Sequence, residues 1–303
     1  MIESDSMSDF LGSPTPTRPR LRQLLDSAAP VLAPGAYDSL SARLVEAAGF
    51  DAAYMTGFGT SASLLGRPDV GLLTATEMTD NARRMAAAVD VPLIADADTG
   101  YGNPLNVIRT VRDYERAGVA AIQLEDQVAP KRCGHMEGKA VVPVTDMVAK
   151  LEAAVAARTD PDLLIIARTD AAAVDGLDAA IDRALHYADA GADLLFVEAP
   201  ASIDEVRAVA TRLKGHRLVF NWVEGGRTPP VPLDVLGELG FALVLFPIGA
   251  LLAATRSIQD FLATIVRDGT PAAALSRLPS FDEFTGFIGL SEVNELGSRF
   301  ADR

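Results

Sequence analysis

The sequence predicts an α/β fold of the (β/α)8, TIM-type barrel kind: a closed parallel sheet ringed by helices, with a helical arm at its C-terminal end. Three observations predict it. Eight short runs rich in Val, Ile, Leu and Ala alternate with segments of helical periodicity, the pattern of a parallel sheet rather than an antiparallel sandwich. Glycine closes several of the helical segments, at Gly49, Gly118, Gly191 and Gly240, where a left-handed residue commonly ends a helix. Polar and charged residues collect where the apolar runs stop, the end of a barrel that carries its active site. An open doubly wound sheet is the competing arrangement, but the Gly-x-Gly-x-x-Gly turn expected near its start is missing.

Taken in order, residues 1–16 are rich in Ser, Pro and Asp and poor in apolar side chains, which predicts a disordered lead. The barrel unit is expected over 17–268 and the arm over 269–303. Leu21, Leu24 and Leu25 fall at helical spacing in a short first helix that Pro30 ends. The apolar runs place strands at 31–36, 52–56, 91–96, 120–125, 163–168, 193–198, 217–221 and 241–246. Between and after them, Ala and Leu on one face predict helices at 38–48, 76–88, 104–117, 145–158, 177–190, 202–213, 232–239 and 249–267. The last amphipathic segment, about 281–300, carries Phe281, Phe284, Phe287, Ile288, Leu290, Val293, Leu296 and Phe300. It is too apolar for a free tail and must pack on its own barrel or on a neighbouring subunit.

The composition excludes several classes of function. At 303 residues, 49% hydrophobic and 22% charged, the chain has the balance of a water-soluble globular protein, and no run approaches the roughly 20 apolar residues of a membrane span. Asp and Glu outnumber Lys and Arg by 41 to 27, a formal charge of −14, which argues against the basic footprint of a nucleic-acid partner. An anionic substrate would then need a local positive focus, a metal or placed arginines. Cys133 is the only cysteine and Met1-Ile2-Glu3-Ser4-Asp5 lacks a basic start, so the expected compartment is the cytoplasm.

The chemistry-bearing residues sit at the strand ends. The second strand runs out at Thr56-Gly57-Phe58-Gly59-Thr60-Ser61, the third at Asp96 and Asp98, and the fourth at Glu125. The fifth ends at Arg168-Thr169-Asp170, the sixth at Glu198 and the seventh at Asn221. Asp96, Asp98 and Glu125 are hard oxygen donors of the kind Mg²⁺ takes. Each alone is equally explained as a helix cap in favourable contact with the N-terminal dipole; three together, with Gly100 and Gly102 allowing close backbone approach, favour a metal. Thr56 to Ser61 offers N–H groups and hydroxyls to a substrate carboxylate, although a tight turn accounts for the same small residues. Arg168, ending the apolar run 163–167, needs an anionic partner: a substrate, Glu198 or another site acid. Cys133 reads either as a small buried hydrophobe or as a reactive thiol, and its polar setting, Lys131-Arg132-Cys133-Gly134-His135, favours reactivity. His186 and His216 lack such company and read as structural.

Asp96-Ala97-Asp98-Thr99-Gly100-Tyr101-Gly102, Glu125-Asp126-Gln127 and Lys131-Arg132-Cys133-Gly134-His135 resemble, in order and spacing, the fingerprints of the isocitrate lyase and phosphoenolpyruvate mutase superfamily. The resemblance runs from Pro34-Gly35-Ala36-Tyr37-Asp38 through Asn221-Trp222-Val223-Glu224-Gly225-Gly226-Arg227-Thr228-Pro229 to the arm. It implies a Mg²⁺ cofactor, or Mn²⁺ in its place, held directly or through water by Asp96, Asp98 and Glu125, with Asp69 a further acid near the metal. It implies that Thr56, Gly57 and Phe58 grip a keto-acid carboxylate and that Arg168, Glu198 and Asn221 bind the substrate. Cys133 resembles the lyases' catalytic thiol, on a loop that closes over the substrate, with Gly134 and His135 its companions. An exchanged C-terminal helix is implied to tie pairs of subunits within a homotetramer.

The Cys-Gly-His loop points to carbon–carbon lyases, since phosphonopyruvate mutases and hydrolases generally lack it. Met136-Glu137-Gly138 stands where methylisocitrate lyases carry Arg-Pro-Asn, which turns the expectation away from a tricarboxylate. The loop and Thr60-Ser61-Ala62-Ser63 look closer to carboxyphosphonoenolpyruvate mutases, dimethylmalate lyases and oxaloacetate hydrolases. The expected reaction is Mg²⁺-assisted cleavage of a 2-hydroxy or 2-oxo di- or tricarboxylate through an enolate that a cysteine protonates. A phosphonate mutase, of the carboxyphosphonoenolpyruvate or phosphoenolpyruvate type, or an oxaloacetate hydrolase is the alternative. An ordinary thiol titrates near about 8.5; nearby acids would keep Cys133 protonated, whereas Lys131 or Arg132 would push it toward thiolate.

Overall fold

The structure, a computed structural model, describes residues 16–134 and 138–301. The expected disordered lead therefore falls, but for Pro16, outside the described residues, and so does His135. Eight strands close a parallel barrel in chain order: β1 (Val31–Ala36), β2 (Ala53–Met55), β3 (Leu93–Asp96), β4 (Ala121–Glu125), β5 (Leu164–Thr169), β6 (Leu194–Val197), β7 (Arg217–Asn221) and β8 (Phe241–Phe246). The ring shuts where β8 returns to β1, with Val31 opposite Leu243 and Pro34 opposite Phe246.

Around it run α1 (Thr17–Leu25), α2 (Ser39–Ala47), α3 (Gly57–Leu65), α4 (Ala75–Ala86), α5 (Pro104–Ala117), α6 (Val144–Ala157), α7 (Leu177–Asp189), α8 (Ile203–Arg212), α9 (Leu233–Glu238) and α10 (Gly249–Asp268). Every strand, and every helix the sequence predicts from α2 to α10, lies within two residues of its predicted span. Local chemistry explains the agreement. The Asn103 side chain accepts from the N–H groups of Leu105 and Asn106, Pro104 sits in the first turn, and Gly118 ends α5 at φ 90°. Thr74 and Glu77 form a reciprocal capping box on α4.

Two apolar layers result. Inside the barrel, Ala33, Tyr54, Ile94, Ile166, Phe196, Val219 and Leu245 pack together, and Leu21 and Leu25 of α1 join them from below. Arg18 holds α1 in place, donating to the Val119 carbonyl at 2.9 Å and pairing with Asp160 at 2.9 Å. Between sheet and helices lies the larger layer, with Met55, Met78, Met85, Ile122, Tyr114 and Tyr187. With its lower end plugged and its flanks packed, the barrel leaves room at the C-terminal ends of the strands.

Two segments depart from the sequence reading. The stretch after the second strand, open between a carboxylate grip and a tight turn, is the first turn of α3, a helix the sequence reading did not place: Thr56 caps it, accepting from Gly59 N at 3.2 Å. The arm is two helices, α11 (Phe281–Phe287) and α12 (Leu290–Ala301), broken at Gly289, whose φ of 90° no helix continues. Arg43 of α2 donates to the Phe287 carbonyl at 3.0 Å and lies over its ring, while Phe281, Leu290, Val293 and Phe300 stay exposed. No helix among the described residues is long and apolar enough to cross a membrane.

Candidate active site

A hollow of about 230 Å³ opens at the top of the barrel and gathers side chains from six strand ends: Thr56, Asp96, Glu125, Arg168, Glu198 and Asn221. Phe58, Asp69, Cys133 and Gly134 complete the part that the sequence anticipates. Gly57 belongs to it through Asp96, because a Cβ there would collide with Asp96 Oδ2. A larger hollow of about 900 Å³ lies outside the barrel between α4 and α5; it reaches Asp98 and Lys131 from behind, but neither Cys133 nor Arg168 lines it.

The acids are aimed by strained backbone. Asp98 adopts a left-handed φ of 48°, rare for a residue with a side chain, its N–H donating to Asp96 Oδ1 at 3.1 Å. Its carbonyl accepts from Glu125 N at 2.9 Å, which ties the ends of β3 and β4 together. Lys131 lies among these carboxylates, and sequence reasoning misplaced it as a neighbour acting on the thiol. Its Nζ pairs with Asp69 at 2.6 Å and with Asp98 at 2.8 Å, and its side chain is 5% exposed. Burial works against the charge on such an ammonium; Asp98, Asp96, Glu125 and Asp69 outweigh it and hold the lysine charged. The excess of acids over bases at these strand ends was the one signal for a buried cation there.

The acids feel the opposite pressure. Burial raises Asp98 to about 7 against the pull of Lys131, with Asp96 and Asp69 adding to the rise. Burial also lifts Glu125 well above the carboxylate range although Arg168 opposes it. Glu125 Oε1 is buried without a hydrogen bond, and Asp98 Oδ1 has its ion pair but no hydrogen bond of good geometry. Among the described residues no three His, Cys, Asp or Glu side chains stand in a ready-made coordination arrangement. The donor chemistry, carboxylate oxygens of which two lack a hydrogen bond, nevertheless fits a hard divalent cation, with the Lys131 ammonium beside Asp69 and Asp98.

Arg168 is held on three sides. Its Nε and Nη2 donate to Asp170 at 2.9 and 3.1 Å, Glu125 lies at 3.4 Å, Glu198 at 3.7 Å, and the Phe196 ring sits beneath it with 5.2 Å to the centroid. The anionic partner the sequence demanded is thus chiefly Asp170, which had been noted at the strand end without a role. Glu198 in turn accepts from Asn221 Nδ2 at 3.3 and 3.2 Å. Gly134 passes so close that a Cβ would meet Arg168 Nη2 and Glu198 Oε1. Cys133 is half-buried, its N–H donating to the Asp69 carbonyl at 3.2 Å. Val223, Glu224, Pro247 and Ile248 complete the wall; Val223 and Glu224 fall in the stretch 221–229 that carries the family resemblance, where sequence reasoning assigned them no role, and Pro247 and Ile248 follow β8 with no motif to announce them.

Burial opposes the charge on Asp170, but Arg168 and Lys139 outweigh it and hold the carboxyl at about 2, against 3.8 ordinarily. A carboxyl depressed in the folded state stabilises the fold above its unfolded value and loses that contribution as pH falls through its folded one. Asp170 is therefore expected to contribute about 2 kcal/mol at neutral pH, fading between about pH 4 and pH 2. The unfolding free energy of wild type minus that of Asp170→Asn, measured in urea, should shrink steadily over that interval. A difference independent of pH would show that the ion pair contributes nothing.

A closed parallel barrel whose strand ends gather carboxylates, a seated arginine and a thiol has the make-up of an enzyme. The chain belongs to the phosphoenolpyruvate phosphomutase family, whose model matches residues 21–266, within the isocitrate lyase and phosphoenolpyruvate mutase superfamily. It is 46% identical to a 2,3-dimethylmalate lyase of Eubacterium barkeri, over 94% of this chain and 98% of the relative. It is 45% identical to a chloroplastic carboxyvinyl-carboxyphosphonate phosphorylmutase of Arabidopsis thaliana, over 93% and 84% of the two chains. Among solved structures it is similar to a 2,3-dimethylmalate lyase with a TM-score of 0.89 and 38% identity, covering 96% of this chain and 97% of that one. A phosphonopyruvate hydrolase solved with oxalate and Mg²⁺ superposes with a TM-score of 0.84 at 32% identity, covering 94% and 99%.

Proposed function

We propose that this enzyme is a Mg²⁺-dependent lyase that splits the carbon–carbon bond of a small 2-hydroxy or 2-oxo dicarboxylate. The observation that carries the reading is the meeting, in one hollow of about 230 Å³, of Asp69, Asp96 and Glu125, the Arg168 guanidinium and the Cys133 thiol, with Asp98 joined to them through Asp96 and Lys131. Asp96, Asp98 and Glu125, with Asp69 beside them, would hold the cation. Bound there, it would supply positive charge where negative charge builds on the substrate oxygens.

The chain's own residues do the rest. Arg168, kept rigid by Asp170 and Phe196, offers the guanidinium N–H groups that Asp170 does not take to a substrate carboxylate. The first turn of α3, entered at Thr56, Gly57 and Phe58, offers N–H groups to the same anion. Asn221 and Glu198 flank the opposite side. For a 2-hydroxy substrate the hydroxyl gives its proton to solvent as the bond breaks, Cys133 gives one to the carbanion of the departing fragment, and the thiolate left behind takes one back from solvent. Phe58, Val223, Pro247 and Ile248 give that fragment an apolar wall, which suits alkyl substituents better than a third carboxylate.

The near-equal identity to a phosphorylmutase and to a dimethylmalate lyase favours phosphonate chemistry as the second reading. Incubation with 2,3-dialkylmalates and, in parallel, with phosphonopyruvate separates the two. Turnover of the malates alone is expected; turnover of phosphonopyruvate alone would replace the lyase by the mutase or hydrolase.

The assembly proposed with this activity is a homotetramer of arm-exchanged dimers. Val266 of α10 is 88% exposed and Phe281 of α11 79%, an apolar surface a second subunit would cover. Truncation after Asp268 is expected to give aggregates or dissociated subunits in light scattering. A truncated protein that kept the original order of assembly would rule the exchanged arm out.

A further inference from the structure

The stretch that bears Cys133 is held by a second buried lysine, beyond the one among the acids. The Lys139 side chain is 2% exposed, with Nζ 2.9 Å from Asp170 Oδ1, and it donates to the carbonyl of Gly134, the residue next to Cys133. Asp170 Oδ1 also accepts from Arg168 Nη2 at 3.1 Å, while Oδ2 takes Arg168 Nε at 2.9 Å. One carboxylate oxygen therefore serves two cations, one in the proposed anion site and one on the thiol's segment.

That carboxylate does not yield easily. The Asp170 N–H donates to Asp126 Oδ1 at 3.0 Å, and Asp126 Oδ2 is fixed by Thr169 Oγ1 at 2.7 Å and by the Tyr187 hydroxyl at 2.8 Å. Asp126, Thr169 and Asp170 are all fully buried. What can shift is how the two cations share the oxygen. An anion taken by Arg168 draws guanidinium charge away from Asp170, and the carboxylate's field then falls more fully on Lys139.

We propose that Lys139 is a positioning residue that couples anion binding at Arg168 to the placement of Cys133. Lys139, held more tightly to Asp170, fixes the Gly134 carbonyl, and Gly134 lies so near Arg168 and Glu198 that no side chain would fit between them. The thiol is thereby set over the anion site when the site is filled. The inference rests on the reading of Arg168 as the carboxylate anchor, and the experiment keeps the two apart.

Cys133 is the only cysteine in the chain, so iodoacetamide labelling of the full-length protein reports on it alone. The rate is measured with Mg²⁺ present, with and without saturating oxalate, and oxalate affinity is measured by calorimetry. In wild type, oxalate is expected to slow labelling by about tenfold or more. Lys139→Gln should bind oxalate within about threefold of wild type yet keep less than about threefold protection, and Lys139→Arg should restore most of it. Full protection in Lys139→Gln would mean that oxalate shields the thiol directly and would overturn the coupling. Loss of oxalate affinity in Lys139→Gln would overturn it too, by making the lysine part of the anion site. If Lys139→Gln fails to fold, amide exchange in wild type decides: exchange over residues 138–142 must slow when oxalate binds, and unchanged exchange rejects the proposal. A wild type that bound no oxalate would sink the anchor reading itself, and the coupling with it.

Discussion

Replacing Glu125 by alanine is expected to lower turnover by about 10³-fold or more while leaving the barrel as stable as before. The two halves of this expectation come from the same geometry. Glu125 is 2% exposed, one oxygen has no hydrogen bond, and the other lies 3.4 Å from Arg168 without a hydrogen bond between them. A buried carboxylate so poorly satisfied costs folding free energy, and burial raises its affinity for a proton. Its retention makes sense for binding a cation, at the familiar expense of stability. Thermal unfolding of Glu125→Ala should match or exceed wild type, and Mn²⁺ binding followed by calorimetry should be lost. Wild-type activity undiminished by EDTA, or a Glu125→Ala protein that turns over normally, would remove the cation from the reading.

Cys133→Ser is expected to lose turnover by roughly 10² to 10⁴, the usual worth of a positioned acid, because a hydroxyl is a far poorer proton donor than a thiol. Binding should barely change. The proposed anchor, Arg168, is seated by Asp170 and Phe196, and the acids are seated by backbone turns and Lys131; none of these contacts passes through the Cys133 sulfur. Oxalate affinity within about threefold of wild type, beside a collapsed catalytic constant, is the pattern of an acid catalyst. A defect confined to binding would make Cys133 a packing residue of its segment.

The barrel and most of the hollow were legible in the sequence because their signals are local. Apolar runs set the strands, Asn103, Pro104 and Gly118 delimit α5 within a few residues of chain, and the acids stand directly at strand ends. What was missed depends on distance along the chain. Lys131 meets Asp69 across 62 residues and Lys139 meets Asp170 across 31, and no periodicity records such pairings. The helix α3 was not predicted for another reason: Gly57-Phe58-Gly59-Thr60-Ser61 has the composition of a turn, and the Thr56 cap, together with Asn81 donating to Thr60 at 3.3 Å, makes it helix. The arm's division at Gly289 was open to reading, since a glycine between two apolar stretches is a common helix stop.

The measurement that bears most directly on the lyase reading is cleavage of a 2,3-dialkylmalate in D₂O with Mg²⁺ present, followed by NMR of the products. A 2-oxo acid and a monocarboxylate should form in equal amounts, the monocarboxylate carrying one solvent deuterium at the carbon that was cleaved, with both signals appearing roughly 10² to 10⁴ times more slowly in Cys133→Ser. Unchanged malate beside brisk turnover of phosphonopyruvate, unaffected by Cys133→Ser, would contradict it.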